Sequence, residues 1–373
     1  MLAARTRALL IALGLNLSLS LSGCGEPEPI RLGFIGGLSG VNADLGTAGR
    51  NGVQLAVEQA NAAGGIQGRP LQLIIKDDRL DPEQGKQVTG ELLDAGVAAI
   101  LGPMTSAVAM AVAPLANEAQ VLMMAGTVST DALSGQDDYF FRTIGTHVEH
   151  ARQLAQYLVE RRGVKSANLV LDLRNQAYSE SWSRHFSGFF QAHGGVTQEM
   201  VGFTSTAQTD YAALAAQALH GQPQVVLLIT SPLDAALLSN QLRQLQPATL
   251  LATAEWAGTG RLVELGGKAV EGVIVPNFID MHSRQPAFQA FRQAYLQRFG
   301  LEPGFPALTT YNATQVLLLA IAGQARDEPL KQTLLRQREY PGLQGPIRFD
   351  DFGDTQTPSY LTVIRNGQYD YVR

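Results

Sequence analysis

GVQLAVEQANAAGGIQGRPLQLIIKDDRLDP, residues 52 to 82, carries the pattern that decides the fold. Val53, Ala56, Val57 and Ala60 recur at i, i+3, i+4 and i+7, which lays one apolar stripe along a helix. Ala63-Gly64-Gly65 supplies the glycine stop at its end. Leu71 to Ile75 follows as a short run of nearly continuous apolarity, and Leu32 to Ile35 upstream is a run of the same kind. Runs like these suit strands buried on both faces, as in a parallel sheet. Strand, helix and strand in that order make a βαβ unit.

The same alternation extends in both directions. Ala98 to Leu101 and Val121 to Met124 read as further strands, and the pattern restarts after Arg142 with Asn168 to Leu171, Val225 to Ile229, Leu250 to Ala252 and Val273 to Val275. Two α/β domains are expected, consistent with about 350 residues beyond the amino-terminal segment. Phe291 to Phe299 and Thr314 to Ala322 are helix-like. The chain then closes with Tyr360 to Ile364, a turn at Asn366-Gly367, and Tyr369 to Val372, a β-hairpin rather than another βα repeat. Hydrophobic residues at 45% and charged residues at 16% exclude a disordered chain.

The amino terminus has a different character. Arg5 and Arg7 precede the uncharged stretch Ala8 to Ser22, which is short for a spanning helix of roughly 20 apolar residues. Leu21-Ser22-Gly23-Cys24 follows, and Cys24 is the only cysteine, so an intramolecular disulfide is excluded. A buried free thiol is the plainer reading of a lone cysteine. The flanking Arg5 and Arg7 on one side, and Glu26-Pro-Glu-Pro29 on the other, favour a secretory signal instead. The segment resembles the bacterial lipobox, which implies a signal peptide over residues 1–23, acylation of Cys24 and a stiff spacer over residues 24–30. Beyond it the sequence shows no apolar run expected to cross a bilayer. Loss of Arg5 and Arg7 takes the formal charge from -5 to -7, which argues against nucleic acid as a partner.

Catalytic motifs are missing from the sequence. Gly33 to Gly40 is glycine-rich after a strand but fits neither a dinucleotide fingerprint nor a P-loop. His147-Val-Glu-His150 sets two imidazoles three residues apart with no third ligand evident nearby, and reads as a solvated helix start. Neither G-x-S-x-G nor H-E-x-x-H occurs, so no enzyme, cofactor or metal is expected. What remains is a set of polar residues at the carboxyl ends of strands, where open α/β sheets bind ligands. Ser106, before the helical Ala107 to Ala116, can cap that helix or cradle a carboxylate with its backbone amides. Thr127-Val-Ser-Thr-Asp131 repeats the arrangement one strand later and includes Ser129. Tyr178 follows Asn168 to Leu171, and Glu255 with Trp256 follows Leu250 to Ala252. Taken singly, a serine is a cap, a tyrosine is packing and a glutamate is solvated.

Together, GFIGGLSG (33–40), residues 52–82 and ILGPMTSAVAMAVAPLANEAQVLMM (100–124) resemble the amino-terminal half of the leucine/isoleucine/valine-binding proteins, the extracytoplasmic receptors of branched-chain amino-acid ABC importers. The resemblance implies the periplasmic binding protein type 1 fold: two Rossmann-like lobes with parallel sheets, joined by a three-segment hinge. The lobes would hold residues 31–143 with 277–348, and 144–276 with 349–373, and the crossings would fall near Thr143, Pro276 and Phe349. It also implies that Ser106 and Ser129 hold the ligand carboxylate, that the Thr127 carbonyl and Glu255 take the ammonium, and that Tyr178 contributes from the second lobe beside Trp256. Leu45 and Ser231 stand where the family often has aromatic side chains in the side-chain pocket. The implied function is a monomeric binding protein on the periplasmic or cell-envelope face, tethered to the membrane by its lipid. It would hand an amino acid to the permease subunits of an ABC importer. A ligand-sensing module of the same fold is the alternative. Cys24→Ser is expected to leave a folded protein that no longer fractionates with membranes after a salt wash, because several acyl chains anchor firmly and only their attachment point is lost.

Overall fold

The computed structural model describes residues 27–40 and 42–372; Cys24 and the lipobox lie outside them. In chain order the elements are β1 (Ile30–Gly36), α1 (Asp44–Ala62), β2 (Leu71–Asp77), α2 (Pro82–Asp94), β3 (Ala99–Leu101), α3 (Ser106–Glu118), β4 (Leu122–Ala125) and β5 (Phe140–Arg142). Then come α4 (Val148–Gln156), β6 (Ser166–Asp172), α5 (Gln176–Ala192), β7 (Val196–Phe203), α6 (Tyr211–Ala218), β8 (Val225–Ile229), α7 (Pro232–Leu245), β9 (Leu250–Thr253), α8 (Gly260–Gly266) and β10 (Ile274–Asn277). The chain ends with α9 (Pro286–Phe299), α10 (Phe305–Ala322), α11 (Leu330–Gln337), the short pair β11 (Glu339–Tyr340) and β12 (Ile347–Arg348), and the hairpin β13 (Tyr360–Arg365) with β14 (Gln368–Tyr371).

Two sheets organise these elements. The first has the order β2-β1-β3-β4-β5 and is parallel throughout. The second has the order β14-β13-β10-β9-β8-β6-β7, parallel from β10 to β7, with the terminal hairpin added antiparallel on β10. The arrangement is a two-lobed α/β one, with one sheet to each lobe. Strand order reverses between β1 and β3 in one sheet and between β6 and β8 in the other, so each sheet opens a crevice at its carboxyl edge.

The opening stretch of the sequence shows why it folds this way. Asn61, near the end of α1, pairs with Leu71 through both its amide groups, at 2.9 Å to the carbonyl and 2.7 Å from the N–H, and so docks the helix end onto β2. Asp77 accepts from Leu38 N–H at 2.7 Å and Arg79 N–H at 2.9 Å, tying the glycine-rich loop to the neighbouring strand. Asp81 caps α2 by accepting from Gln84 N–H at 2.7 Å, with Pro82 in the first turn. Gly52 lets α1 lie directly on α10, since a Cβ there would come 2.2 Å from the Ala307 carbonyl oxygen. Gly102, at φ +96°, turns the chain out of β3 toward the cleft beside Ile35.

Two expectations need correction. Helix α10 starts nine residues before Thr314, and over its 18 residues it is long and apolar enough by length and composition to cross a membrane. Sixty-seven per cent of it is buried, chiefly against α1, which makes it a core helix. Its threonine hydroxyls are satisfied within the helix: Thr309, Thr310 and Thr314 each donate to the carbonyl four residues back at 2.7 to 2.8 Å. Strands β5 and β7 escape the sequence reading because β5 is only three residues long and β7 alternates exposed and half-buried positions at a sheet edge.

The chain leaves the first sheet after β5, leaves the second after β10 and rejoins it at β13, three passages between the sheets. Arg142, fully buried at the first passage, donates to Asp354 at 2.7 Å and to the Thr130 carbonyl at 2.6 Å, and also bonds Ser134. Its own N–H donates to the Gly353 carbonyl at 3.1 Å, so two of the three passages are clipped together. Arg142→Ala is expected to cost about 3 kcal/mol, because a buried guanidinium is lost while its acceptors stay behind. Urea denaturation followed by circular dichroism checks this, and an unchanged midpoint would remove Arg142 from the hinge's support.

Candidate functional site

The carboxyl ends of β3 and β4 face those of β6 and β9 across the gap between the lobes. One lobe contributes Leu45, Met104, Ser106, Thr127 and Ser129 to a cavity there, and the other contributes Asn175, Tyr178, Glu255 and Trp256. Phe278, just past β10, and Phe305, the first residue of α10, complete the wall. The enclosed volume is about 20 Å³, room for roughly one water molecule. An amino acid needs more room than this, so the walls of the cavity must move apart to admit one.

Glu255 is the centre of this arrangement. It sits in a turn directly after β9 and is 1% exposed. One carboxylate oxygen accepts from the Trp182 indole N–H at 2.7 Å, and the other lies 3.4 Å from the Ser129 hydroxyl, which reaches it from the opposite lobe. Burial pushes the carboxyl up to about 7, while hydrogen bonds from Trp182, its own backbone N–H, Tyr178 and Ser129 pull the other way. Tyr178, in the first turn of α5, is itself pushed well above its usual range by burial and by the neighbouring Glu255. Its hydroxyl oxygen accepts from Trp256 N–H at 3.4 Å, and its ring meets that of Trp256 edge-on at 5.8 Å.

The facing lobe presents hydroxyls and amides. Thr105 occupies the N-cap position of α3 and Ser106 is the first helical residue, so Ser106 lies one place inside the expected cap, beside the cavity. The N–H of Ala107 donates to Asn175 of the other lobe at 3.0 Å. Thr127 donates its hydroxyl to the Met104 carbonyl at 2.7 Å, which fixes the loop that carries Ser129.

Seven of the eight expected pocket residues, Leu45, Ser106, Thr127, Ser129, Tyr178, Glu255 and Trp256, thus converge on one cavity. Ser231 does not line it. It caps α7, accepting from Asp234 N–H at 3.2 Å, and bonds Asn42 of the other lobe at 2.8 Å. With the Asn42 amide turned so that its nitrogen donates to Ser231, its oxygen accepts from both terminal nitrogens of Arg174, at 2.6 and 2.9 Å. A serine at this position therefore serves a contact between the lobes. The pair His147 and His150 also departs from a solvated helix start, since both side chains are buried. His150 bonds Ser359 at 2.6 Å and packs edge-on against Phe278, while His147 turns to Ser181 of α5 at 3.0 Å. Met104, Asn175, Phe278 and Phe305 were not read as site residues; Asn175 alone carried a signal, a polar residue three positions before Tyr178 at a strand end.

The periplasmic binding protein family profile matches residues 29–368. The chain belongs to that family. A Leu/Ile/Val-binding protein, BraC3 of Rhizobium johnstonii, is 27% identical over 335 residues, covering 89% of this chain and 90% of the relative. Among solved structures, the branched-chain amino acid transporter substrate binding protein LivJ of Streptococcus pneumoniae, in complex with isoleucine, superposes with a TM-score of 0.84 at 23% identity, over 92% of this chain and 98% of that one. A solute binding protein of R. palustris in complex with benzoate superposes with a TM-score of 0.83 at 19% identity, over 92% and 95%. The fold of this periplasmic binding protein is thus shared by proteins whose ligands differ in charge.

The raised carboxyl has a consequence for stability. Because the folded-state value lies above the ordinary 4.5, the folded state holds an extra proton between about 4.5 and 7, and stability is lost as pH rises through that window. Fully developed, the effect is on the order of 3 kcal/mol. Glu255→Gln is therefore expected to melt a few degrees above the parent protein at pH 8 without ligand and to lose that advantage at pH 5. Differential scanning calorimetry at the two pH values measures it, and an equal difference at both would mean that the charge is not what burial disfavours.

Proposed function

We propose that this chain is the extracytoplasmic solute-binding component of an ABC importer for a hydrophobic amino acid, tethered to the membrane through Cys24 and working as a monomer. The observation that carries the reading is Glu255, a carboxylate taken out of water with only neutral groups steadying it. A ligand ammonium is the missing counter-charge, because a buried charge without a partner is costly. In this reading the Thr127 carbonyl shares the ammonium and Tyr178 packs beside it. The ligand carboxylate lies against Ser106 and Ser129, near the amino terminus of α3. Leu45, Met104, Phe278, Phe305 and Trp256 offer an apolar wall for the side chain. A benzoate-type ligand carries a carboxylate and no ammonium, so it would set a second negative charge near Glu255. That favours a zwitterion over the aromatic acid bound by the R. palustris protein.

The lobes proposed from the sequence, with crossings near Thr143, Pro276 and Phe349, supply the motion. Neither half-site can neutralise both ends of a zwitterion, so the ligand gains most from the closed state, and that differential affinity drives closure. Calorimetric titration with leucine, isoleucine, valine and benzoate is expected to show binding of at least one of the amino acids and weaker or no binding of benzoate. Glu255→Gln should weaken the amino acid by more than about tenfold, since removing one buried charge partner costs roughly 2 to 5 kcal/mol. Tighter binding of benzoate than of all three amino acids, or an unchanged affinity in Glu255→Gln, would move the function away from amino acids.

A further inference from the structure

Outside the ligand cavity, Asp131, His147 and His185 each offer one ligand atom, and these atoms lie within 4.8 Å of one another. They come from three places in the fold. Asp131 stands in the loop after β4 in the first lobe, His147 directly before α4 where the chain has just crossed, and His185 on α5 of the second lobe. We propose that these three side chains form a binding site for a zinc-type dication that bridges the two lobes.

Two imidazoles and a carboxylate are the ligand set that zinc takes with a water in the fourth position. Tetrahedral bonds of about 2.0 to 2.1 Å bring ligand atoms to roughly 3.4 Å from one another, so the three must draw together by no more than about 1.4 Å. Asp131 and His185 are free to do so, with side chains 32% and 25% exposed, while His147 is held by burial. His147 Nε2 now lies 3.0 Å from the Ser181 hydroxyl, and its Nδ1 has no partner among the described residues. Because Ser181 gives its own proton to Asp131, Nε2 now carries the ring proton and donates to Ser181, and moving that proton to the unpartnered Nδ1 frees the Nε2 lone pair for the metal.

The contacts that compete are short-range and local. Ser181 donates to Asp131 Oδ1 and His185 Nε2 lies 2.8 Å from Asp131 Oδ2, so the carboxylate is already gathered against α5. A dication would replace those hydrogen bonds, with the Ser181 hydroxyl rotating aside. Arg184 lies 3.7 Å from Asp131 Oδ1 and 3.2 Å from the Ser181 oxygen, and is the one arginine or lysine against the carboxylate among the described residues; at 66% exposure it can withdraw into solvent. His193 with Glu160 and His220 with Glu199 pair on the surface of the second lobe, but each is only a two-ligand set. Because Asp131 and His185 belong to opposite lobes, a metal held by both favours the closed arrangement. The metal site stands independently of the amino-acid reading, and only an effect of the metal on amino-acid affinity would rest on it.

The test uses Zn²⁺ alone with the full chain. Competition with a chromophoric chelator is expected to show one ion bound in the micromolar range, and solution scattering is expected to show a smaller radius of gyration with Zn²⁺. Asp131→Asn and His185→Gln should each weaken binding by at least about tenfold and abolish the contraction. His193→Gln combined with His220→Gln should change neither. Far-ultraviolet circular dichroism establishes that the variants are folded. Absence of stoichiometric binding, or binding that survives both site variants, or binding lost only in the surface pair, would overturn the proposal.

Discussion

A carboxylate buried without a cation is the constraint around which the structure is arranged. Glu255 keeps its place because Trp182 from α5, Tyr178 one helical turn earlier, and Ser129 from the facing lobe all direct polar groups at it. Trp182 is fully buried, so it holds the carboxylate from a fixed position in the core of the second lobe. Neutral donors offset part of the desolvation cost and leave the rest unrelieved. The site is thus less stable than an apolar core would be.

The parallel strands of the two sheets explain how such a site is assembled. Each βα connection leaves the carboxyl edge of its sheet, and the reversal of strand order opens a crevice at that edge. Two such edges facing one another bring the loops after β3 and β4 against those after β6 and β9. The contacts that hold the lobes together lie on either side of the cavity. Asn42 meets Ser231 and Arg174 on one flank, and Asp131 meets Ser181 and His185 on the other. Arg142 clips the connecting strands behind them. The contact between the lobes is therefore polar at its edges and apolar at the cavity wall.

Most of the architecture could be read from local pattern. Val53, Ala56, Val57 and Ala60 mark a helix because side chains three and four residues apart share a face, and the apolar runs mark strands because both faces of a parallel sheet are covered. Boundaries suffered where the pattern was weak: β7 lies at an edge with one face in water, and α10 begins at Phe305-Pro306, before its apolar run becomes continuous. The pocket residues were legible only through their resemblance to a family, since Ser106, Ser129, Tyr178 and Glu255 each have a plainer reading alone.

The sequence by itself determined most of the succession of strands and helices, the glycine stop after the first helix, and the hairpin at the end, because each depends on neighbours within a few residues. Only the tertiary structure decided which polar groups meet. Ser231 turned from the pocket to Asn42, 189 residues away, and His147 parted from His150 to join Ser181 on another helix. The first outcome depends on how closely the two lobes approach, and the second on how α4 packs against α5 within one lobe. Both are set by the packing of whole elements, and no local repeat in the chain records them.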